Sequence, residues 1–321
     1  MPADNRRLLP EPVSLVRADH ATEDAGDVPR LVESWLDNEY CQLDPGRFEG
    51  RLREAALANT RVIEETQNRT VLKRGAISDD RCHFCFARSF GGAGRCDDQF
   101  LKSTSFSFVP SGEFDIQIPP SSIVLISVNR EEFMTAASLA GHWIEDNERR
   151  PLTWEMRGRH PLGAAVDILL AQDPTDMLDA SYLNAVLFDS ILATLDDPSR
   201  KEARVTMRHA NAYRTVRAAC EFVDSVRNEP LTVLDLCRVL NVSRRTLQYC
   251  FAEIHGISPL IYLRRVRLNR ARRDLIQARD DRISVASVAM HWGFWHLGRF
   301  SQDYRQLFGE LPSETLRRAL A

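Results

Sequence analysis

The sequence predicts two domains of different class: an α+β N-terminal half, then an all-α C-terminal half in which two helix-turn-helix units are joined by a long helix. Three observations carry that expectation. The 321 residues exceed the roughly 100 to 200 that one compact core usually serves. Apolar residues recur at period two before Val128 and at helical spacing after Pro161. Charge is segregated: residues 204–321 hold 20 Arg, no Lys and 11 acidic groups, a balance of +9, whereas residues 1–203 hold 22 basic and 34 acidic groups, a balance of −12.

Composition excludes several classes. With 44% hydrophobic and 27% charged residues, the chain is neither a disordered nor a fibrous one. Its longest stretch without Asp, Glu, Lys or Arg, Ile283 to Gly298, has 16 residues, short of the about 20 a spanning helix needs. The opening residues have no apolar core, so no secretory signal is expected. Seven Cys, an odd number spread over a long chain, argue against a disulfide framework and for a reducing cytoplasm.

Taken in order, residues 1–28 lack periodicity and are expected to form a loose tail, with a helix between Val28 and Leu43. From Ala55 to Val128, Phe84, Phe86 and Phe90, then Phe106 and Phe108, then Phe114, Ile116 and Ile118 alternate as in strands. Pro110-Ser111-Gly112-Glu113 and Pro119-Pro120 punctuate them. Two helices follow, with Leu162, Val166, Leu169 and Leu170 on one face and Leu183, Val186, Leu187, Ser190 and Ile191 on the other. These stripes either cover the sheet or supply an isologous dimer seam. Residues 196–203, polar and containing Pro198, form the expected linker between an effector-sensing or dimerisation domain (29–195) and a basic domain (204–321).

Cys82-His83-Phe84-Cys85 has suggestive metal spacing, but zinc wants a second Cys/His pair and only Cys96 lies near. Alternation along a strand also points Cys82 and Cys85 to opposite faces. A competing reading makes the N-terminal sheet a small metal enzyme using Cys82, His83, Cys85 and Glu113; it lacks a second ligand-spaced histidine and any nucleophile-and-base or Gly-rich phosphate motif. No catalytic residue, metal or cofactor is therefore expected. His83 reads either as an effector contact or as a core histidine.

The C-terminal half carries the stronger signal. Thr232 with Asp235 resembles a capping box, Asn241-Val242-Ser243 makes a turn, and Ser243 caps a helix from Arg244 to His255 that stops at Gly256. Leu247, Cys250, Phe251 and Ile254 face the core, so Arg245, Gln248, Tyr249 and Ala252 point outward. Guanidinium and amide groups can address base edges bidentately. A second pattern opens at Ser284, turns at Gly293-Phe294 and continues as a helix from about His296 to Phe308; its buried side is Phe300, Tyr304, Leu307 and Phe308, leaving Gly298, Arg299, Gln302 and Gln306 outward. Between them, Ser258 to Ile276 reads as one helix with six Arg from 264 to 273. Recognition helices in adjacent major-groove segments would lie roughly 34 Å apart. A single such pattern reads more readily as an αα-hairpin in a bundle, and two copies in a domain of balance +9 reverse that preference; an architectural or RNA-binding module is a further alternative, disfavoured because most aromatics fall on core positions.

Residues 209–320 resemble the DNA-binding domain of the AraC/XylS family of bacterial transcription regulators. The resemblance rests on Leu236-Cys237, Val242-Ser243-Arg244-Arg245-Thr246-Leu247, Arg267-Leu268-Asn269-Arg270-Ala271, Gly293-Phe294, Phe300, Tyr304, Phe308-Gly309 and Pro312-Ser313. It implies base reading by Arg245, Gln248 and Tyr249 in the first recognition helix, and by Leu297, Gly298, Arg299 and Gln302 in the second, with Arg244, His296 and Gln306 positioning the backbone. Leu297 and Gly298 depart from polar readers, so the second helix is expected to position more than it reads. The run Trp292 to Phe308 is similar to the branch containing the ethanolamine-utilisation regulator. The N-terminal half, an antiparallel sheet or cupin-like barrel plus helices, resembles the family's effector and dimerisation module. The expected protein is a cytoplasmic, ligand-responsive activator of a catabolic or related operon. Its expected partners are double-stranded promoter DNA, RNA polymerase, a small-molecule inducer and a second copy.

Overall fold

Short runs of alternating apolar residues build the N-terminal half into strands. The computed structural model describes residues 15–32, 37–57, 59–141, 151–156, 161–171, 180–196, 201–202, 206–226, 230–279 and 283–320. In chain order come β1 (Leu15–Thr22), a short 3-10 turn (Ala25–Asp27), α1 (Val28–Val32), β2 (Asp37–Gln42), β3 (Gly50–Leu57), β4 (Thr60–Gln67), β5 (Val71–Ile77), β6 (Arg81–Phe90), β7 (Gly94–Cys96), β8 (Gln99–Leu101), β9 (Ser105–Val109), β10 (Gly112–Ile118) and β11 (Ser121–Asn129). Helix α2 (Arg130–Leu139), β12 (Leu152–Glu155), α3 (Pro161–Leu170), α4 (Ala180–Leu195) and β13 (Lys201–Glu202) complete this half.

Every strand pair is antiparallel. The larger sheet runs β1-β3-β4-β11-β6-β9-β12-β13 and the smaller β2-β5-β10-β7-β8. The expected alternation holds along β6, β9, β10 and β11, and it sorts side chains between two cores. Phe84, Phe86, Phe106, Phe108, Val124 and Ile126 pack with α2, α3 and α4. Leu52, Ile63, Val71, Ile77, Val109 and Phe114 fill a second core lined by both sheets. Leu162, Val166, Leu169, Leu183, Leu187 and Ile191 belong to the first of these cores, so the apolar stripes of α3 and α4 cover the sheet. Burying each such side chain is worth roughly 1.5–3 kcal/mol.

Three expectations need correction. The loose tail over residues 1–28 does not extend past Leu15: β1 pairs with β3 from Leu15↔Leu57 to Thr22↔Gly50. It is an edge strand held by main-chain bonds, with most side chains exposed, so no alternation marks it; residues 1–14 lie outside the described residues. Of the helix expected from Val28 to Leu43, Val28–Val32 is helical, but Asp37–Gln42 is a strand paired with β5; residues 33–36 lie outside the described residues. Tyr40 and Gln42 are buried there, too short an alternation to read. Within the linker, Lys201–Glu202 pairs with Trp154 and Glu155 at the sheet edge; residues 197–200 are not described.

The C-terminal half is helical: α5 (Met207–Ser225), α6 (Val233–Leu240), α7 (Arg244–His255), α8 (Pro259–Ile276), α9 (Val285–His291), α10 (Leu297–Phe308) and α11 (Pro312–Leu320). Tyr262, Leu263 and Val266 at the start of α8 join the core of α5, α6 and α7, while Leu268, Ala271 and Leu275 farther along join that of α9 and α10. One helix is thus a spine for both units. Among the described residues no helix is long and apolar enough to cross a membrane.

Candidate nucleic-acid interface

The first unit forms as its punctuation dictates. Thr232 and Asp235 cap α6 reciprocally, Asn241 closes it in the left-handed region, and Ser243 accepts the Thr246 N–H to start α7. Leu247, Cys250, Phe251 and Ile254 are buried, which leaves Arg244, Arg245 and Gln248 exposed. Arg244 and Arg245 make no ion pair among the described residues. Tyr249 is exposed but engaged: its hydroxyl donates to Glu253, and the Arg208 guanidinium lies 4.5 Å above its ring. Those contacts tie its hydroxyl and its ring to neighbouring side chains of the protein.

The second unit repeats the plan with a different opening. Ser284 and Ser287 cap α9, and Gly293 turns the chain at φ +74. A Cβ on Gly293 would come within 2.6 Å of Pro230, so this glycine lets the second unit's turn rest on the loop that enters the first. Helix α10 begins at His296, which makes no side-chain cap; its first N–H groups are therefore left for another acceptor. Phe300, Tyr304, Leu307 and Phe308 are buried as expected, and Leu297, Gly298, Arg299 and Gln302 are exposed. Trp295, just before the helix, is 72% exposed; it falls outside the helical period and the sequence reading passes over it.

Gln306 does not join the recognition face alone. Its carbonyl, with that of Leu307, accepts the Gly46 N–H at 3.0 and 3.1 Å, so the end of α10 is held by the N-terminal domain. Five of the six α8 arginines are also occupied. Arg264 pairs with Asp303, Arg270 with Asp224, Arg272 with Asp24 and Glu310, and Arg273 with Glu39; Arg267 lies over Phe294. Acidic partners inside the molecule thus meet four of these guanidinium groups, which leaves them less free for a phosphate.

A seam of polar contacts joins the domains. Asn269 pairs with the main chain of Gln42 as a neighbouring strand would, accepting from its N–H at 3.0 Å and donating to its carbonyl at 3.1 Å. The Gln42 amide donates to the Leu307 carbonyl at 2.7 Å. Arg74 reaches Asp115, Asp224 and the Tyr262 hydroxyl. Burial works against charge on Asp115, but Arg95 and Arg74 outweigh it and hold the carboxyl down to about 2. The His255 Nδ1 lies 2.8 Å from the Gln117 Oε1.

The core lined by both sheets encloses a cavity of about 100 Å³ whose wall includes Tyr40, Glu65, Lys73, His83, Phe114 and Leu125. His83 is placed there, and burial, reinforced by Arg81, pushes its imidazole down to about 3. Cys85 and Cys96 also face this side, whereas Cys82 packs toward the helices. Glu113 is at the surface, paired with Arg217. The quartet of the competing enzyme reading is therefore scattered, and no group of three or more His, Cys, Asp or Glu that could hold a metal occurs among the described residues. Sequence reasoning misses Tyr40, Glu65 and Lys73; its one available signal is a lysine in the otherwise apolar start of β5.

Two helix-turn-helix units on one spine define a DNA-binding class, and comparison agrees. Residues 236–318 match the family model described as a helix-turn-helix domain. The chain is 40% identical over 102 residues to a probable thc operon regulatory protein of Rhodococcus erythropolis, covering 32% of this chain and 31% of that one. It is 35% identical over 98 residues to XylDLEGF operon transcriptional activator 3 of Pseudomonas putida, covering 30% of each. A solved probable AraC family transcriptional regulator from Rhodopseudomonas palustris is 35% identical, with a TM-score of 0.32, and the match covers 34% of this chain and 99% of that one. Residues 236–318 are a helix-turn-helix domain. The chain spans about a third of the length of these two curated relatives.

Proposed function

We propose that the chain is a sequence-specific, ligand-responsive transcription regulator, an activator of a catabolic or related operon, working in the cytoplasm on double-stranded promoter DNA. The observation that carries this is the pair of exposed faces, Arg244, Arg245 and Gln248 on α7 and Arg299 and Gln302 on α10, fixed to the shared spine α8. Arg245, Gln248 and Tyr249 read bases with Leu297, Gly298, Arg299 and Gln302, while Arg244, His296 and Gln306 position the backbone. The N-terminal half is a cupin-like barrel that senses a small-molecule inducer in its cavity and pairs with a second copy; it uses no metal or cofactor, and RNA polymerase is the partner downstream. Ligand acts by differential affinity for two arrangements of the domain seam. The finer resemblance to the ethanolamine-utilisation branch concerns the DNA-binding half; the relatives named above regulate other operons.

The test is a footprint of the full chain on the DNA flanking its own gene, across a salt series and with an unrelated duplex as competitor. Two protected segments roughly one helical turn apart, surviving competitor, are expected. Protection lost to any duplex would sink the reading.

A further inference from the structure

The cavity of the N-terminal domain contains a charge arrangement that its apolar lining does not require. Lys73 Nζ donates to Glu65 Oε2 at 2.6 Å, and the Tyr40 hydroxyl donates to the same oxygen at 3.0 Å. Lys73 also sits 4.6 Å above the Tyr40 ring. All three residues line the cavity. One carboxylate oxygen thus takes two donors, while the other, Glu65 Oε1, is buried with no hydrogen-bond partner among the described residues. Asn38 Oδ1, from the same cavity wall, is buried and unmet in the same way. A buried ion pair is weak evidence of stability, since desolvation offsets its attraction. Unmet buried acceptors add a further cost.

These features narrow the occupant. Two unmet acceptors call for a donor, which excludes an ionised carboxylate as the best fit. The charges of Glu65 and Lys73 offset each other, so an ionised ligand would bring an unpaired charge into a desolvated space. A cavity of about 150 Å³ admits benzene, so a space of about 100 Å³ takes a one-ring molecule when its wall moves outward to add about half its present volume.

Resting on the effector-sensing reading above, we infer that the cavity binds a small uncharged molecule, one ring in size, whose head donates to these acceptors: a carboxamide to both Glu65 Oε1 and Asn38 Oδ1, a hydroxyl, with its single proton, to one of them. Asn38 and Tyr40 belong to β2, the strand that Asn269 of α8 grips through Gln42. Head-group recognition therefore takes place on the strand that meets the DNA-binding domain.

Titration calorimetry on the full chain at neutral pH, without DNA, tests this with four probes of one shape: benzyl alcohol, toluene, benzoate and benzylammonium. Benzyl alcohol is expected to bind at least ten-fold more tightly than the other three. The Glu65→Gln variant leaves Lys73 uncompensated, so it should gain at least ten-fold for benzoate while losing affinity for benzyl alcohol. Equal binding of toluene would show that the head is not recognised, and equal or tighter binding of benzoate or benzylammonium to the unaltered chain would show that neutrality is not selected; either overturns the inference while leaving the effector cavity in place. Binding of no probe overturns both the ligand class and sensing by this cavity. The DNA-binding reading stands or falls separately, on the footprint.

Discussion

The two helix-turn-helix units share a spine and have recognition helices of equal length, 12 residues each, but they differ at both ends. Helix α7 starts on a Ser243 cap, presents Arg244, Arg245 and Gln248, and ends at Gly256 with open space around it. Helix α10 starts uncapped, presents Leu297, Gly298, Arg299 and Gln302, and ends at Gly309, where an added Cβ would lie 3.0 Å from the Arg47 backbone. On the proposed reading, the first unit offers long polar side chains to base edges. The second offers a bare helix start and is held from behind by the other domain, a geometry for placing the protein on DNA more than for choosing a sequence.

The largest effect expected is that of Arg245→Ala. A good base contact is worth about 1–3 kcal/mol, so specific affinity measured by gel shift should fall roughly five- to 150-fold, with little change on unrelated duplex. Equal losses on both duplexes would make Arg245 a phosphate ligand and erase the contrast between the units.

Acid should loosen the first unit before the second. His255, in the last turn of α7, is buried beside Gln117, and burial, with Arg95 and Arg74 adding to it against Asp115, holds its imidazole well below the ordinary value. The folded state keeps it neutral while the unfolded chain takes a proton. Its contribution is therefore complete above about pH 6.5 and is lost as pH falls toward the folded value, by about 1.4 kcal/mol for each pH unit once well below 6.5. The histidines of the second unit, His291 and His296, are exposed. Denaturant midpoints at pH 7.5 and 5.5 should converge in His255→Gln relative to the unaltered chain; an unchanged gap would remove His255 from the account.

Gly298→Ala separates stability from binding. Its Cβ would meet nothing within 4 Å, so the helix should gain up to about 1 kcal/mol, read as a higher melting temperature. DNA affinity should nevertheless fall, because on the proposed reading the methyl stands where the duplex approaches the helix. A higher melting temperature with unchanged affinity would make Gly298 a bystander. Smallest of all is Gln302→Ala, expected to cost less than about 1 kcal/mol of specific affinity; a loss matching that of Arg245→Ala would show that both helices read.

Much of the C-terminal half is legible in the sequence because each helix carries its own punctuation, from the Thr232 and Asp235 box to the left-handed Gly256 and Gly309. The phenylalanine alternation marks β6 and β9 for the same reason: the signal is local. Strand β1 leaves no such trace, since its stability lies in main-chain bonds to β3 and residues such as Val16 face solvent. Gln42 and Asn269 are 227 positions apart, and nothing in either neighbourhood announces the other. The arginines of α8 mislead in a different way. Read alone they suit phosphate, yet Asp24 and Glu39 from the acidic half answer Arg272 and Arg273, so part of the segregated charge is the chain's own complementarity.

The distribution of lysine has a practical side. The chain has three, at 73, 102 and 201, all before Arg204; Lys73 is buried on Glu65, while Lys102 is accessible. Amine-reactive coupling through these side chains therefore attaches the molecule by its N-terminal half and leaves the recognition helices unmodified. A dicarbonyl reagent selective for guanidinium would attack Arg244, Arg245 and Arg299, exposed as they are, along with exposed arginines of the N-terminal half such as Arg47 and Arg51. The same protein can thus be tethered with its DNA face outward, or blinded at that face, by the choice of reagent alone.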